Sequence, residues 1–213
     1  MRVADPLETK LWIASAVSVA AALVLGALVA HRPPTRIDVA GGEALRGGAL
    51  PLALFFTALG RWPVLLVLGV VAFGIAMSLR AGTSAVVILY GAQVLSQAAN
   101  ALLKLAFHRA RQTSWLRIQE TDLSFPSGHA VTAMVFFAGF AVLVWHAPLP
   151  RAVTAPVTAA LLVCALAIPW SRLALGAHYV TDVAGGLLLG GGFLCAALAL
   201  IVRFAPVAST TTP

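Results

Sequence analysis

Long apolar segments separated by short polar ones constrain the fold of this chain more than any other sequence feature. Six of them are close to the roughly 20 residues that a helix needs to span the hydrocarbon core of a bilayer. A seventh, 49–59, is too short to span, so we expect an interfacial or re-entrant helix there. The sequence therefore predicts an all-α polytopic membrane bundle with six transmembrane helices plus one short interfacial helix. The six predicted spans are 11–30, 64–79, 84–107, 129–145, 152–169 and 179–203.

Composition excludes a soluble protein. Of the 213 residues, 61% are hydrophobic and 10% are charged, which leaves too little polar surface to cover a water-exposed domain. The net charge of +7 does not indicate nucleic-acid binding, because the basic residues form no run and no polar domain carries them. We expect one membrane domain over residues 1–213, with residues 204–213 as a disordered tail. Cys164 and Cys195 lie in apolar segments and predict neither a disulfide nor a cysteine-based metal site.

The segment 84–107 differs from the other spans because it carries polar residues on one helical face. Gln93, Gln97 and Asn100 follow one another at spacings of three and four, and Lys104 continues the series. Polar groups cost free energy in lipid, so this face should turn towards the protein interior. For Gln93 and Gln97, hydrogen bonding between helices is a sufficient explanation. Lys104 is different because its charge lies at the end of the span.

The polar turn Phe-Pro-Ser-Gly-His, at 125–129, has the residue types of an anion site. Proline and Gly128 bend the backbone, Ser127 offers a hydroxyl, and the N–H groups of the helix that starts here point outward. His129 is placed to move a proton. The turn alone does not determine a function.

His178 and Asp182 lie four residues apart near the start of the last span. On a helix, Asp182 can accept a hydrogen bond from one ring nitrogen of His178, which leaves a lone pair on the other nitrogen. Such a histidine is an activated nucleophile or base. Two other interpretations stay open: a polar pair that only solvates a helix end, and a metal site formed by His129, His178 and Asp182. The lysine and arginines nearby would repel a cation and suit an anion such as phosphate.

Alternating span directions bring these polar clusters to one membrane face. The segments 104–111, 126–129, 171–172 and 178–182 all lie at span ends that point the same way. Basic residues outside these clusters are nearly balanced between the two faces, so their distribution does not fix the orientation.

Together the three clusters resemble the signature of the type 2 phosphatidic acid phosphatase (PAP2) superfamily. The first part is Lys104, six residues and then Arg111, and the second is Pro-Ser-Gly-His at 126–129. The third is Ser-Arg at 171–172, five residues, His178, three residues and Asp182. One position departs from the pattern, because Gln112 stands where the family usually has proline, and this bears on the geometry of the loop more than on catalysis.

The resemblance implies a metal-independent phosphatase that uses no cofactor. His178 would attack phosphorus to give a phosphohistidine, and Asp182 would orient it. His129 would protonate the leaving group and then activate water. His108, Arg109 and Arg117 fall outside the signature and are expected to contact the interface or lipid headgroups. The phosphate-binding groups would be Lys104, Arg111, Ser127, Gly128 and Arg172.

The resemblance also implies a substrate class and a location. We expect a lipid phosphate or diphosphate as substrate and a site on the outer face of the cell membrane. A polyprenyl diphosphate such as undecaprenyl diphosphate is favoured over phosphatidate or phosphatidylglycerol phosphate, because the cluster has five positive charges and the leaving group is a phosphate. The five charges counted are those of Lys104, Arg109, Arg111, Arg117 and Arg172.

A lipid phosphotransferase and a non-enzymatic transporter or scramblase are alternatives. No sequence feature indicates an oligomeric state.

Overall fold

A computed structural model describes residues 5–46, 49–112 and 116–205, and every regular element in these ranges is helical. The predicted all-α fold is therefore confirmed. In chain order the elements are α1 (Pro6–Val29), α2 (Arg36–Leu45), α3 (Leu50–Leu59), α4 (Trp62–Ser78), α5 (Thr83–Phe107), α6 (Gly128–Thr132), the π-helical segment π1 (Ala133–Ala138), α7 (Gly139–Trp145), α8 (Arg151–Ala174) and α9 (Val180–Phe204).

Five helical segments are each long and apolar enough to cross a membrane: α1, α5, the continuous run from α6 to α7, α8 and α9. The sixth candidate is the pair α3 and α4, which are bent by 57° relative to each other. Gly60 and Pro63 lie at this break and explain why the chain turns there. The segment predicted as a short interfacial or re-entrant helix is α3, and the bend separates it from α4, which corresponds to the predicted span 64–79.

The run from α6 to α7 and helix α9 form the interior of the bundle, and about half of the residues in each are buried. Their close approach depends on glycine. A Cβ at Gly186 would lie 2.4 Å from the carbonyl oxygen of Ser127, and one at Gly190 would lie 2.9 Å from that of Val131. Gly186 and Gly190 are four residues apart, so they lie on one face of α9 and form a small-residue packing surface. It holds the polar turn of residues 125–128 directly against α9.

The fourth span was predicted as one regular helix, but its middle third is π1. In this segment Val135, Phe136 and Phe137 are all at most 2% exposed. A regular α-helix cannot point three consecutive side chains into one interface, and the wider π turn allows it. The span is therefore packed on nearly all sides, as its central position requires.

Helix α2 was not predicted, because residues 31–48 read as a loop. Thr35 and Asp38 form a reciprocal capping box, with each side chain accepting a hydrogen bond from the other's backbone N–H at 3.2 and 3.1 Å. Glycine lowers helix propensity and argued against a helix here. Gly41 has a packing role instead, since a Cβ at this position would lie 2.4 Å from the side chain of Val180.

Two helix boundaries also differ from prediction. Helix α1 begins at Pro6, before the predicted start of the first span at residue 11, because Asp5 caps it by accepting a hydrogen bond from Leu7 N at 2.8 Å. Helix α8 continues past Pro169 to Ala174, as transmembrane helices tolerate proline. Cys164 and Cys195 are half-buried free cysteines. The predicted tail begins within α9, and from residue 206 on it lies outside the described residues.

This order of helices predicts that the loop of residues 108–127 and the turn of residues 146–150 lie on opposite sides of the membrane. In a variant with Cys164→Ala and Cys195→Ala, we expect Gln119→Cys to react with a membrane-impermeant maleimide from one side only. Ser84→Cys and Pro148→Cys should react from the other side, because all three positions are exposed. Labelling of intact and of permeabilised cells measures this. Reaction of Gln119→Cys and Pro148→Cys from the same side would contradict the helix order.

Candidate active site

The three predicted clusters meet at one cavity of about 590 Å³, which also borders α4 and α5. Ser127 and Asp182 do not line it, because both are 0% exposed and lie behind its wall. The predicted site residues that do line it are Lys104, Arg111, Gly128, His129, Arg172 and His178.

His178 lies in the short connection between α8 and α9, with its two ring nitrogens in different surroundings. Nδ1 is 3.5 Å from Oδ2 of Asp182, and Nε2 is 3.3 Å from Nη1 of Arg111. Burial, and then the charges of Arg111 and Arg172, lower the pKa of His178 well below its ordinary value. The ring is therefore neutral at pH 7. A proton on Nδ1 leaves the Nε2 lone pair facing the cavity and its cations.

Asp182 is held by contacts from three parts of the chain. Its Oδ2 accepts from the backbone N–H of Tyr179 at 2.9 Å, so it caps α9 as well as facing His178. Its Oδ1 accepts from Arg109 at 2.5 Å, and its backbone carbonyl accepts from Ser127 N at 3.0 Å. The helix-end interpretation and the catalytic one are thus compatible, because different contacts of the same residue serve each.

Arg109 was predicted to contact the interface or lipid headgroups, and this is wrong. Its guanidinium is 3% exposed and donates to two carboxylates, those of Asp182 and Asp38. His108 is exposed and ends α5 in a left-handed conformation, with φ of 47°. Arg117 is exposed outside the cavity lining. Of the three basic residues that fall outside the family signature, only Arg109 belongs to the site.

Four basic residues line the cavity, Arg61, Lys104, Arg111 and Arg172, and the last three are paired with two carboxylates of the loop between α5 and α6. Lys104 Nζ lies 2.7 Å from Asp122, and Arg111 contacts both Asp122 and Glu120. Arg172 contacts Glu120 as well. These carboxylates therefore occupy hydrogen-bonding positions of the cations that an anionic ligand would also use.

Asp122 carries its charge throughout the neutral pH range, although its side chain is half-exposed. Burial alone would raise the pKa of its carboxyl, but the hydrogen bonds and charges of Lys104 and Arg111 lower it to about 2. Since the folded-state pKa is depressed, these ion pairs are present above the ordinary value and are lost only as the pH falls towards 2.

His129 is oriented by a residue that sequence reasoning missed. Its Nε2 lies 3.1 Å from the backbone carbonyl of Thr57, whose hydroxyl accepts a hydrogen bond from Arg172 at 2.5 Å. Thr57 is 2% exposed and is the one polar residue of α3. That isolated polar position was the signal available in the sequence. A Cβ at Gly60 would lie 2.5 Å from the His129 ring, so this close approach requires glycine.

The polar face of α5 points inward, as predicted, and binds α6. Gln93 and Gln97 both donate to the hydroxyl of Thr132 at 3.0 Å, and Gln97 also donates to the carbonyl of Gly128 at 3.1 Å. Hydrogen bonding between helices therefore accounts for both glutamines. The polar face of α5 was the observation that suggested a transporter, and these hydrogen bonds explain it without one.

The hydroxyl of Ser127 has no hydrogen-bond partner in this structure, while its backbone N–H donates to Asp182. Its phosphate-binding role stays a prediction. Gln112, in the position of the family proline, donates to the carbonyl of Gly176 and so ties its loop to the connection that carries His178. Within the part of the chain that the structure describes, no three His, Cys, Asp or Glu side chains are grouped to hold a metal ion.

Comparison with known proteins agrees with this geometry. A family model described as the PAP2 superfamily matches residues 85–205. The chain is 43% identical to the lipid A 1-phosphatase of Rhizobium etli over 70 residues, which is 33% of this chain and 26% of that protein. It is 37% identical to phosphatidylglycerophosphatase B of Bacillus subtilis over 92 residues, which is 43% of this chain and 45% of that protein. The matched region thus spans less than half the length of these relatives.

The architecture is also similar to a solved structure over nearly its whole length. The crystal structure of a transmembrane PAP2-type phosphatidylglycerolphosphate phosphatase from Bacillus subtilis superposes with a TM-score of 0.72 at 27% identity. The likeness covers 89% of this chain and 95% of that one. It therefore extends beyond residues 85–205, which the family model matches, into the N-terminal part of the chain.

The pairing of Glu120 with Arg172 and Arg111 predicts that the loop competes with anions. In Glu120→Gln, inorganic phosphate should bind roughly 5-fold more tightly, since a partly exposed ion pair is worth about 1 kcal/mol. Calorimetric titration in detergent measures this. Glu43→Gln is the matched control, because it makes the same charge change at an exposed position of α2. Weaker binding in Glu120→Gln would mean that Glu120 holds the arginines in place rather than competing.

Proposed function

Because the chain belongs to the PAP2 superfamily, we propose that it is a membrane phosphatase that releases phosphate from a lipid through a phosphohistidine. The observation that carries this proposal is the orientation of His178. Its Nε2 faces Arg111 at 3.3 Å, and its Nδ1 faces Asp182 at 3.5 Å. A neutral histidine held in this way directs its lone pair to the place where cations hold a phosphate. Positioning and electrostatics are the two main contributions to phosphoryl transfer.

The first step joins Nε2 of His178 to phosphorus and breaks the bond between phosphorus and the leaving oxygen. The ring then carries a positive charge and keeps its proton on Nδ1, where the carboxylate of Asp182 stabilises it. His129 donates a proton to the leaving oxygen. In the second step His129 takes a proton from water, the water oxygen attacks phosphorus, and the bond to His178 breaks to release phosphate.

Lys104, Arg111 and Arg172 hold the three non-bridging oxygens of the phosphoryl group in this proposal. They would exchange their contacts with Glu120 and Asp122 for contacts with the substrate. Their positive charges do what metal ions do in other phosphoryl-transfer sites, so we propose that the reaction uses no metal and no cofactor.

The nucleophile can be tested by trapping. Labelled substrate mixed with the enzyme and quenched in alkaline detergent should give an alkali-stable phosphoprotein, which His178→Ala lacks together with all turnover. Asp182→Asn should lose about 100-fold or more in kcat, because the imidazole loses its orienting charge. Excess EDTA should leave the rate unchanged. Turnover in His178→Ala at the wild-type rate would refute the mechanism, and Glu43→Gln serves as the active control.

For the substrate, the cavity supports a lipid phosphate monoester over the polyprenyl diphosphate that the sequence favoured. Of the five charges counted, Arg109 is committed to Asp38 and Asp182, and Arg117 lies outside the cavity lining. Lys104, Arg111 and Arg172 remain of those five, and Arg61 is a fourth basic residue of the lining, so charge favours a diphosphate less than the count of five did. The whole-length likeness to a phosphatidylglycerolphosphate phosphatase supports the same class. We therefore propose phosphatidylglycerol phosphate or phosphatidate as substrate, with undecaprenyl diphosphate as the alternative.

A lipid fits this cavity better than a soluble ester does. Its wall includes Trp62 and Leu65 of α4, a helix that packs mainly against α5 and borders lipid. An acyl chain can lie beside these residues while the headgroup reaches the cations. A soluble sugar phosphate gains none of this apolar contact.

A panel of substrates tests the preference. Purified protein in one detergent should show a higher kcat/KM for phosphatidylglycerol phosphate than for undecaprenyl diphosphate, and almost none for glucose 6-phosphate. Release of inorganic phosphate is the measurement. A higher kcat/KM for the diphosphate would reverse the assignment, and passage of the phosphate to a second lipid instead of water would identify a phosphotransferase.

We also propose that the cavity opens on the outer, periplasmic or extracellular, side of the cell membrane. The family resemblance supports this side, whereas the balance of basic residues does not select one. Reaction of Gln119→Cys with the impermeant maleimide in intact cells is the outcome expected. Protection there, with reaction of Pro148→Cys, would place the cavity in the cytoplasm.

A further inference from the structure

We propose that Arg109 and Asp38 are positioning residues of the reaction, which orient Asp182 and set the charge that it offers to His178. The proposal rests on His178 acting as the nucleophile. It concerns groups that do not line the cavity and that the family signature does not contain.

Arg109 makes a two-sided contact with Asp182 and Asp38. Nη1 donates to Asp182 Oδ1 at 2.5 Å and to the hydroxyl of Thr181 at 2.7 Å, and Nη2 donates to Asp38 Oδ2 at 3.0 Å. The guanidinium also lies 4.5 Å from the centre of the Tyr179 ring. This planar fork occupies one oxygen of Asp182, so that only Oδ2 is left to face His178.

Asp38 fixes the other end of the arginine and is itself fully bonded. Its Oδ1 accepts from the backbone N–H and the hydroxyl of Thr181, both at 2.9 Å, and its Oδ2 accepts from Thr35 N at 3.1 Å. Burial raises the pKa of the Asp38 carboxyl, but these hydrogen bonds and that from Arg109 lower it further, so the net shift is downward. Asp38 is thus a charged group 3% exposed to solvent.

The charges of this triad explain why two carboxylates share one arginine. A guanidinium paired with Asp182 alone would cancel the negative charge that must stabilise the ring of His178 during attack. Asp38 pairs with the other end of the Arg109 guanidinium. The group of Arg109, Asp38 and Asp182 therefore carries one net negative charge. Asp182 is thereby held rigidly by Arg109 without being neutralised by it.

A purely structural role for the triad would be to tie α2 to the start of α9. The two roles differ in what they predict for catalysis. Loss of a tie lowers stability and affects kcat only through the amount of folded protein. Loss of a positioning group lowers kcat in fully folded protein, leaves KM nearly unchanged and changes the proton affinity of His178.

The test uses the full chain in detergent with dioctanoyl phosphatidate as the probe. Arg109→Gln and Asp38→Asn should each lower kcat about 10- to 100-fold with KM within about 3-fold, which is the size of effect that supporting hydrogen bonds to catalytic ligands have elsewhere. Arg109→Lys should recover part of the loss, because it keeps the charge but not the fork. Unchanged kcat in both Arg109→Gln and Asp38→Asn would overturn the proposal.

The pH at which kcat/KM falls on the acid side is a second measurement, and the direction in which it should move is different for each variant. Removing the positive charge in Arg109→Gln makes protonation of His178 easier, so this pH rises. Removing the negative charge in Asp38→Asn makes protonation harder, so this pH falls, and each shift is about half a unit. A merely structural tie predicts no such opposite pair. The other charged or titratable groups facing His178, which both variants keep, are Lys104, Arg111, Asp122, His129, Arg172 and Asp182.

A control separates stability from positioning. Glu8→Gln breaks a different ion pair to α9, that of Glu8 with Arg203 at 3.3 Å. It should lower the melting temperature but keep kcat. If Arg109→Gln does not fold, Asp38→Asn and Arg109→Lys carry the same test. Loss of kcat in Asp38→Asn that only matches its loss of folded protein would assign the triad a structural role.

Failure of this proposal is distinguishable from failure of the proposed function. If the wild type releases no phosphate from any lipid, or if His178→Ala is active, the phosphatase mechanism itself is wrong. If the wild type is active and His178→Ala is inactive while both triad variants keep the wild-type kcat, only the roles of Arg109 and Asp38 are wrong.

Discussion

The buried carboxylate of Asp182 is the group on which the arrangement of the site depends. A carboxylate with 0% exposure is costly unless its oxygens are bonded and its charge is balanced. The backbone of Tyr179 and the guanidinium of Arg109 satisfy it, and its own carbonyl binds Ser127. These contacts bring three stretches of sequence together, one from each part of the signature. Asp182 therefore contacts the loop after α5 through its carboxylate and the polar turn through its backbone carbonyl, while its second carboxylate oxygen lies 3.5 Å from His178.

A second electrostatic constraint comes from three of the cations that line the cavity. Lys104, Arg111 and Arg172 lie within reach of one another, and like charges at this spacing repel. The carboxylates of Asp122 and Glu120, in the loop between α5 and α6, offset part of that repulsion and leave an excess of positive charge. The two sides of the cluster differ in exposure, because Asp122 is half-exposed whereas Arg172 is buried. In the function proposed above, this difference would allow a ligand to replace the loop carboxylates while the cations keep their places.

Much of this could be predicted from sequence, and the failures have a common physical cause. Hydropathy predicts the spans because lipid imposes a length and an apolar surface on each. The four-residue spacing of His178 and Asp182 is a local pattern, and it does bring the two side chains to within 3.5 Å, but the predicted hydrogen bond is absent because His178 Nδ1 has no partner among the described residues. Arg109 and Asp38 are 71 residues apart and Arg172 and Thr57 are 115 residues apart, so no periodicity connects them. The capping box of α2 was readable in Thr35 and Asp38, but two glycines obscured it.

The pairs that sequence reasoning missed share a further property. In each, one partner lies within residues 85–205, which the family model matches, and the other lies in α2 or α3, before that region. Thr57 contacts both His129 and Arg172, and Asp38 contacts Arg109. Residues of α2 and α3 thus contact side chains of the matched region from outside it. In the mechanism proposed above, a chain that kept the signature but changed Asp38 or Thr57 would retain the same cavity lining, while its nucleophile and proton donor would be held differently.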